Sequence, residues 1–484
     1  MPVTIRKILN DDSVNQIFHN ALKILNEVGV GCGHKKTIEL LVDNGRAAYK
    51  GGRLYFDKGA LEEYFYAYKD KINRRPGDAA DNAADNAADN AAGGADKVFS
   101  MGGHWHMWEL CDPATNRPRP AAWDEAVQMA KLSEALGASG CPIPVAPGGI
   151  NPRLNTLISE LIALTHTRGL GSSLTATDRE EVKIISQMHL AAGRKYTLGL
   201  EGFISPLKVN DEIMDVYFEQ RENPDLNVSI MGIIPMAGAT APLVYPANLS
   251  QMLADALALG YIMHVVSGGT QGGIGFRLDP FDFKSTNIIF GSPAWCLFRH
   301  ALTELWETLM GVPIRHGVFR SNAKCVDAQA VMERTASVMW QAVLGCRSFG
   351  AVGQLAVDEV YSPVQAVLDR EILKYVGTVI NGVPDAAWVD CPDAAQIVRN
   401  GVEAGGFFAH ETTVERFRQM YDYDILSSYA NLNSWKGAGS RTTEALAWDE
   451  AERIIDSHEF ELDGARRKDV EKLFARGQKY LDGI

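Results

Sequence analysis

The chain has 484 residues, of which 46% are hydrophobic and 22% are charged, which is the composition of an ordinary globular protein with a sizeable core. Its formal net charge of -13 argues against a nucleic-acid partner, because phosphate binding needs a face of clustered Lys and Arg. The absence of a bilayer-spanning apolar run and of a signal peptide predicts a cytoplasmic protein without a membrane partner.

Residues 1–76 have the apolar spacing of a mostly helical N-terminal region, with one short extended piece at 52–57. A repeat of Ala, Asp and Asn follows at 77–96. If this repeat were helical, Asp81, Asp85 and Asp89 would stack at a like-charged i, i+4 spacing. We therefore predict a solvated linker or loop there and assign it no chemistry.

Residues 97–376 contain eight short apolar runs, each followed by a stretch with helical apolar spacing. The runs begin near Val98, Ala138, Gly171, Tyr196, Asn227, Tyr261, Pro313 and Cys346. The helical stretches are Trp123 to Leu136, Leu154 to Thr167, Asp178 to Ala192, Asp211 to Arg221, Pro246 to Leu259, Pro293 to Met310, Ala328 to Leu344 and Pro363 to Val376. Eight such units with right-handed crossovers predict an α/β fold, a (β/α)8 TIM barrel, with a C-terminal helical extension at 377–484.

Local signals support these helices. Oxygen side chains that can cap a helix stand at Asp178, Asn210 and Ser292, and prolines suited to the first helical position stand at Pro293 and Pro363. Glycines that can end a helix stand at Gly137, Gly193, Gly260, Gly311 and Gly345.

In such a barrel the catalytic residues lie where the strands end. On the fourth strand, alternation places Glu201 and Phe203 on one face, which could hold a cation or form a rim ion pair. On the seventh strand, His316 and Arg320 share a face and could bind an anionic group or have a structural role between strands.

The first and sixth strands run into glycine-rich segments. After the first, His104 and His106 could bind a metal, whereas Trp105 and Trp108 could wall a pocket for an apolar or cationic group or simply pack; we predict no metal site. After the sixth, Gln271 and Phe276 lie in a glycine-rich loop without a Walker lysine or a following helix, so the glycines indicate close approach of a ligand or partner. The seven scattered cysteines predict neither a disulfide framework nor a zinc knuckle, although Cys141, Cys325 and Cys346 lie near strands.

The segment Ser229 to Ala258 contains Pro-Met-Ala-Gly-Ala-Thr-Ala-Pro and resembles the signature of the trimethylamine methyltransferase family. The resemblance continues through 201–215, 290–317, 326–345, 362–373 and 405–435, and so covers nearly the whole chain outside the Ala/Asp/Asn repeat. It implies a (β/α)8 barrel that transfers a methyl group from an amine to the Co(I) form of a separate corrinoid protein. Family members acting on trimethylamine carry pyrrolysine near the end of strand eight, where this chain has ordinary residues at 350–358. The chain therefore resembles the branch without pyrrolysine, which acts on glycine betaine and related quaternary amines, although it departs from the family pattern at Ala294 and at 320–324.

This resemblance suggests roles for the candidate residues. Glu201 and Gln354 are the catalytic candidates, Glu201 as a nearby field or hydrogen-bonding group. Aromatic walls for the cation would come from Trp105, Phe203, Tyr245 and Phe276, with Gln271 also at the substrate. A remote carboxylate or hydroxyl of the substrate would bind to His316, Arg320 and Gln354.

Transfer of one methyl group from a quaternary ammonium releases a neutral tertiary amine, which needs no proton to leave. Positioning, rather than acid catalysis, would therefore dominate the reaction. No corrinoid-binding signature is present, so cobalamin would arrive on a partner protein, and we expect a homo-oligomer. Two alternatives are an amine-binding relative without catalysis and a zinc-dependent one-carbon methyltransferase on the same barrel.

Overall fold

The structure is a computed structural model that describes residues 6–43, 45–74, 100–101, 107, 109–138, 140–141, 151–169, 171–172, 178–382, 393–421 and 426–483. The helices are α1 Asp11–Glu27, α2 Lys35–Val42, α3 Lys58–Arg74, α4 Trp123–Ala135, α5 Asn155–His166, α6 Arg179–Ala191, α7 Asp211–Gln220, α8 Tyr245–Val266, α9 Pro293–Met310, α10 Ala328–Val343, α11 Pro363–Asn381, α12 Ala394–Glu403, α13 Glu411–Tyr421, α14 Leu432–Gly437, α15 Thr443–Asp456 and α16 Gly464–Asp482. The strands are β1 Val30–Gly31, β2 Ala47–Lys50, β3 Arg53–Phe56, β4 Ser100–Met101, β5 Glu109–Asp112, β6 Arg117–Arg119, β7 Gly140–Cys141, β8 Gly171–Ser172, β9 Tyr196–Ile204, β10 Lys208–Val209, β11 Leu226–Gly232, β12 Met236–Ala237, β13 Asp279–Asp282, β14 Asn287–Ile288, β15 His316–Val318, β16 Ser348–Gly350, β17 Gln354–Leu355 and β18 Val360–Tyr361. The Ala/Asp/Asn repeat at 77–96 lies outside the described residues.

The helices predicted for residues 97–376 are present as α4 to α11, and the oxygen side chains predicted to cap their N-termini do so. Asp178 accepts hydrogen bonds from the backbone N–H groups of Glu180 and Glu181 at the start of α6. Ser292 accepts from the Trp295 N–H at 3.2 Å, immediately before Pro293 opens α9. These contacts satisfy first-turn amides that have no partner within the helix.

Parallel strand pairs link several of the predicted barrel strands. β7 pairs with β8, β9 with β11, and β15 with β16. β16 also pairs in parallel with β4, which brings the predicted eighth strand beside the first. The strands that the structure describes are distributed over five sheets rather than one closed ring. The α/β class is thus confirmed, and the closed (β/α)8 barrel is not.

The strand predicted near Tyr261 is wrong, because this residue lies inside the 22-residue helix α8. An apolar run that is buried on all sides has the same composition in a helix as in a core strand, so its spacing could not distinguish the two. Gly260, predicted to end a helix, is also internal to α8; a Cβ there would come within 2.5 Å of the Tyr64 hydroxyl and 2.7 Å of the Gly273 carbonyl oxygen. The glycine serves close packing rather than helix termination.

α8 is the central helix of the larger core. It is apolar and long enough to cross a membrane, but 78% of its most apolar window is buried inside the protein. Helices α1, α2 and α3 pack against it. The N-terminal region also joins the sheet of β9 and β11, because β1 pairs with β3 and with β10.

The C-terminal helices cover other parts of the fold. α15 packs against α11 and α4, and α16 packs against α5 and α6. A second core cluster lies between α10, α11 and α15 and includes the strands β16 to β18. The long predicted helical tail therefore contributes to the packing of the central region.

Candidate functional site

Two adjoining cavities lie at the segment 274–279, between β11 and β15. The first, which we call the arginine cavity, has a volume of about 190 Å³ and is bounded by this segment, by 312–320 and by α9. The second, which we call the methionine cavity, has a volume of about 320 Å³ and is bounded by β11, α8 and residues 270–277. Ile234, Gly275 and Arg277 line both cavities, so they share one wall.

The arginine cavity contains a buried carboxylate among cationic side chains. Asp279 is buried and accepts a hydrogen bond at 2.7 Å from the indole Nε1 of Trp295. Burial raises the pKa of Asp279, and the nearby positive charges of Arg320, Arg299 and Arg277 oppose this shift. The described lining of the cavity thus brings one carboxylate and several guanidinium groups together. The cavity can therefore accept an anionic group of a ligand, to which arginine offers paired donors.

Packing fixes the position of two of these arginines. The Arg320 guanidinium lies 4.5 Å from the centroid of the Phe290 ring and is 6% exposed. Arg299 extends from α9, stacks over Trp295 at 5.6 Å, and donates to the carbonyl oxygen of His316 at 3.2 Å. Because both groups are held by aromatic and backbone contacts, the charge is present before a ligand binds.

The methionine cavity has a mixed polar and apolar lining that includes three methionines and a buried acid. Met231, Met252 and Met263 line it together with Phe203, which is 2% exposed. Asp255 is buried here; its two oxygens accept from the Ser205 hydroxyl at 2.7 Å and the Leu207 N–H at 2.9 Å. Burial raises the pKa of Asp255 to about 6, although these hydrogen bonds oppose the shift.

The structure brings five of the predicted site residues to the two cavities. His316, Arg320 and Phe276 line the arginine cavity, where Phe276 meets Trp306 edge to face at 5.1 Å between ring centroids. Phe203 and Gln271 line the methionine cavity, and the Gln271 side-chain amide donates to the Val228 carbonyl oxygen at 2.6 Å. The polar and aromatic groups predicted for one pocket are thus divided between two cavities with a common wall.

The remaining candidates lie elsewhere. Glu201 is exposed on β9 whereas Phe203 is buried. Met231 pairs with Glu201 and Gly232 pairs with Phe203, so Gly202 is an extra residue in β9 that interrupts the predicted alternation. Gln354 is fully buried in β17 and lines neither cavity. Tyr245 is half exposed at the start of α8.

Some candidates fall on undescribed residues, and some site residues were missed. Trp105, with His104, His106 and Trp108, lies outside the described residues. In the ranges that the structure does describe, no group of three or more His, Cys, Asp or Glu side chains could hold a metal ion.

The sequence reasoning missed Asp279, Trp295 and Arg299. Trp295 and Arg299 are four residues apart on α9, a spacing that places both on one helix face and could have identified them.

Comparison with known proteins assigns the chain to a family. The model of the trimethylamine methyltransferase family matches residues 2–481. The chain belongs to this family. Its membership in this family of methyltransferases confirms the resemblance carried by residues 229–258 and by the segments around them.

Among the relatives of this methyltransferase family member, trimethylamine methyltransferase MttB of Methanosarcina barkeri (strain Fusaro / DSM 804) is 25% identical over 285 residues, 58% of this chain and 55% of the relative. The chain thus spans about half the length of the MttB relatives that it matches. Glycine betaine methyltransferase of Desulfitobacterium hafniense (strain Y51) is 22% identical over 439 residues, 88% of each chain. Among solved structures, a crystal structure of the hydrogenase maturase HydG covers 97% of each chain at 10% identity with a TM-score of 0.34, a similarity too low to support an argument about the fold.

Proposed function

We propose that this family member transfers a methyl group from a quaternary amine with an anionic group, of the glycine betaine type, to the Co(I) corrinoid of a separate protein. The separation of charge between the two cavities is the observation that supports this class of substrate. Arg299, Arg315, Arg320 and Asp279 line the arginine cavity alone, Asp255 lines the methionine cavity alone, and Arg277 stands on the wall that the two share. A zwitterion is complementary to such a pair of cavities.

The donors in the arginine cavity suit a carboxylate. Charge-assisted hydrogen bonds from guanidinium groups are about twice as strong as neutral ones, and they fix orientation when both donors of the fork engage. Arg320 and Arg299 would hold the substrate carboxylate, with His316 beside them on β15.

Aromatic and sulfur-containing side chains suit the quaternary ammonium. Phe276 and Trp306 form an edge-to-face pair on the arginine cavity. Phe203, Met231 and Met252 line the methionine cavity. A cation over an aromatic face gains roughly 0.5–2 kcal/mol when water is excluded. Both oxygens of Asp255 accept hydrogen bonds from the protein, so this carboxylate would act as a remote field. A carboxylate pressed against the nitrogen would favour the bound ground state, because the positive charge leaves the nitrogen in the transition state.

The protein's part in the reaction is therefore positioning. The corrinoid, carried by a partner protein, would supply the nucleophile, and the amine would leave as a neutral tertiary amine. The side chains of this chain would bind the carboxylate, orient one N-methyl group and exclude water, which supplies part of the barrier reduction without an acid or base. We also propose that the parallel pairs β7–β8, β9–β11 and β15–β16–β4 are parts of a (β/α)8 barrel.

The test is a spectroscopic methyl-transfer assay. The purified chain, a reduced corrinoid protein and a panel of quaternary amines with and without a carboxylate are mixed, and the Co(I) absorption band is followed. Loss of the band with carboxylate-bearing amines and a much smaller rate with tetramethylammonium would support the proposal. Thermal stabilisation by a betaine without any loss of the band would instead identify a binding protein without catalysis.

A further inference from the structure

The segment that follows β16, residues 351–357, contains the two-residue strand β17 and has a strained backbone; we call it the strand-eight loop. Four of its seven residues have positive φ: Ala351 at 63°, Gly353 at 73°, Ala356 at 50° and Val357 at 73°. Three of the four carry a Cβ, which crowds the neighbouring carbonyl oxygen in this conformation, and a β-branched valine is the most crowded of them. Such a conformation persists only where the surrounding structure imposes it.

A buried ion pair holds the loop from below. Asp369 on α11 accepts from the Gly353 N–H at 2.7 Å, from Arg334 Nη1 at 2.6 Å, and from the Gln365 side-chain amide at 2.9 Å. Arg334 and Asp369 are both 0% exposed. Gly353 also accepts from the Ser362 N–H through its carbonyl oxygen, at 2.9 Å. The loop is therefore fixed at its glycine by a network without access to water.

The other end of the loop contacts the wall of the arginine cavity. The Ala356 N–H donates to the Ala323 carbonyl oxygen at 2.7 Å, and the Val357 N–H donates to the Ser321 carbonyl oxygen at 3.0 Å. Ser321 directly follows Arg320 in the chain. The Val357 side chain belongs to the small buried cluster that contains Phe290 and Trp295. Phe290 lies under the Arg320 guanidinium, and Trp295 donates to Asp279.

We infer that the strand-eight loop is a positioning element for the arginine cavity: its strained residues hold the backbone after Arg320 and the Trp295 indole in the arrangement that binds the anionic end of the substrate. This inference depends on the proposed function for its ligand, a carboxylate-bearing quaternary amine. Ala356 and Val357 touch no ligand in this scheme and act through Arg320 and Trp295. Strain is retained at these positions because the cavity requires it.

The test relieves the strain without removing a polar contact. Ala356→Gly keeps the N–H that donates to Ala323 and tolerates positive φ, so the melting temperature should stay unchanged or rise. Glycine also gives the loop more accessible conformations, which should raise KM for glycine betaine at least fivefold with little change in kcat. A merely structural role would leave KM unchanged. Ser440→Gly is the matched control, because Ser440 also has positive φ, at 54°, is exposed and lines neither cavity. The KM of this variant should equal that of the unaltered chain.

A second variant approaches the same loop from below. Gln365→Leu removes one donor to Asp369 while it keeps the Arg334 pair, and it should shift KM in the same direction if it folds. An unchanged KM in Ala356→Gly, with methyl transfer intact in the unaltered chain, overturns the inference and leaves the proposed function standing. Failure of the unaltered chain to bind or demethylate any quaternary amine overturns the proposed function and this inference with it.

Discussion

Replacement of Arg320 by methionine tests the anionic subsite directly. The side chain is 6% exposed and its guanidinium lies on the Phe290 ring, so methionine keeps the apolar part of that contact and removes the charge. A hydrogen bond to a charged partner contributes about 1.5–3 kcal/mol. Arg320→Met should therefore raise KM for a carboxylate-bearing amine by about 10- to 150-fold. Methyl transfer from tetramethylammonium, which has no carboxylate, should change much less.

The corrinoid absorption assay is run with the unaltered chain and with Arg320→Met, each with the carboxylate-bearing amine and with tetramethylammonium. The four rates form a double cycle in which the side chain and the substrate carboxylate are each removed in turn. The difference between the two losses reports the contact between Arg320 and the carboxylate, and general damage to the fold cancels. The pKa of Asp279 gives an internal check. Arg320→Met removes one of the positive charges that oppose the rise of this pKa, so the pKa should rise further in the variant. If both amines lose activity equally, Arg320 does not bind the carboxylate and the reasoning from the arginine cavity is refuted.

Three further variants test stability, each by urea denaturation. Burial raises the pKa of Glu181 to about 7 from its ordinary 4.5, so the folded state keeps a proton that the unfolded state has lost between these pH values. The free energy of unfolding should therefore fall by about 3 kcal/mol as the pH rises through this window. Glu181→Gln should remove this pH dependence, and the exposed control Glu222→Gln should keep it. Arg334→Met should lower stability by about 3–5 kcal/mol because it leaves the Asp369 carboxylate buried without its cation, and adding Asp369→Leu should restore part of the loss; an equal loss in the double variant would contradict this explanation. Ser292→Ala should lower stability by about 1 kcal/mol through loss of the α9 cap, and no change would show that the hydrogen bond to the first turn contributes nothing.

Local sequence signals located the helices well. The bounds predicted for α9, Pro293 to Met310, agree with the structure at both ends, and Asp178 and Ser292 cap their helices as expected. These signals depend on a few consecutive residues, because a cap bonds within its own first turn and a helical face repeats every three to four residues. Motifs around residues 229–258 likewise carried the family assignment, since a family signature is also a local pattern.

Predictions that required relations between distant segments were less successful. The apolar run at Tyr261 forms part of α8 because α1, α2 and α3 bury it, and these helices are about 200 residues away in the chain. Glu201 and Phe203 differ in exposure because Gly202 between them is an extra residue in the pairing of β9 with β11. The first effect has no signal within its own segment, whereas the glycine at 202 is a local sign of a bulge whose effect on pairing depends on the neighbouring strand.

The amino-acid order was sufficient to determine the family, the α/β class and most of the helices, because each depends on contacts within one turn or one short motif. Only the tertiary structure could place Asp279, Trp295 and Arg299 beside Arg320 and divide the candidate site into two cavities of different charge. Charge and burial at such a site are sums over side chains from separate segments. They exist only once the chain has packed.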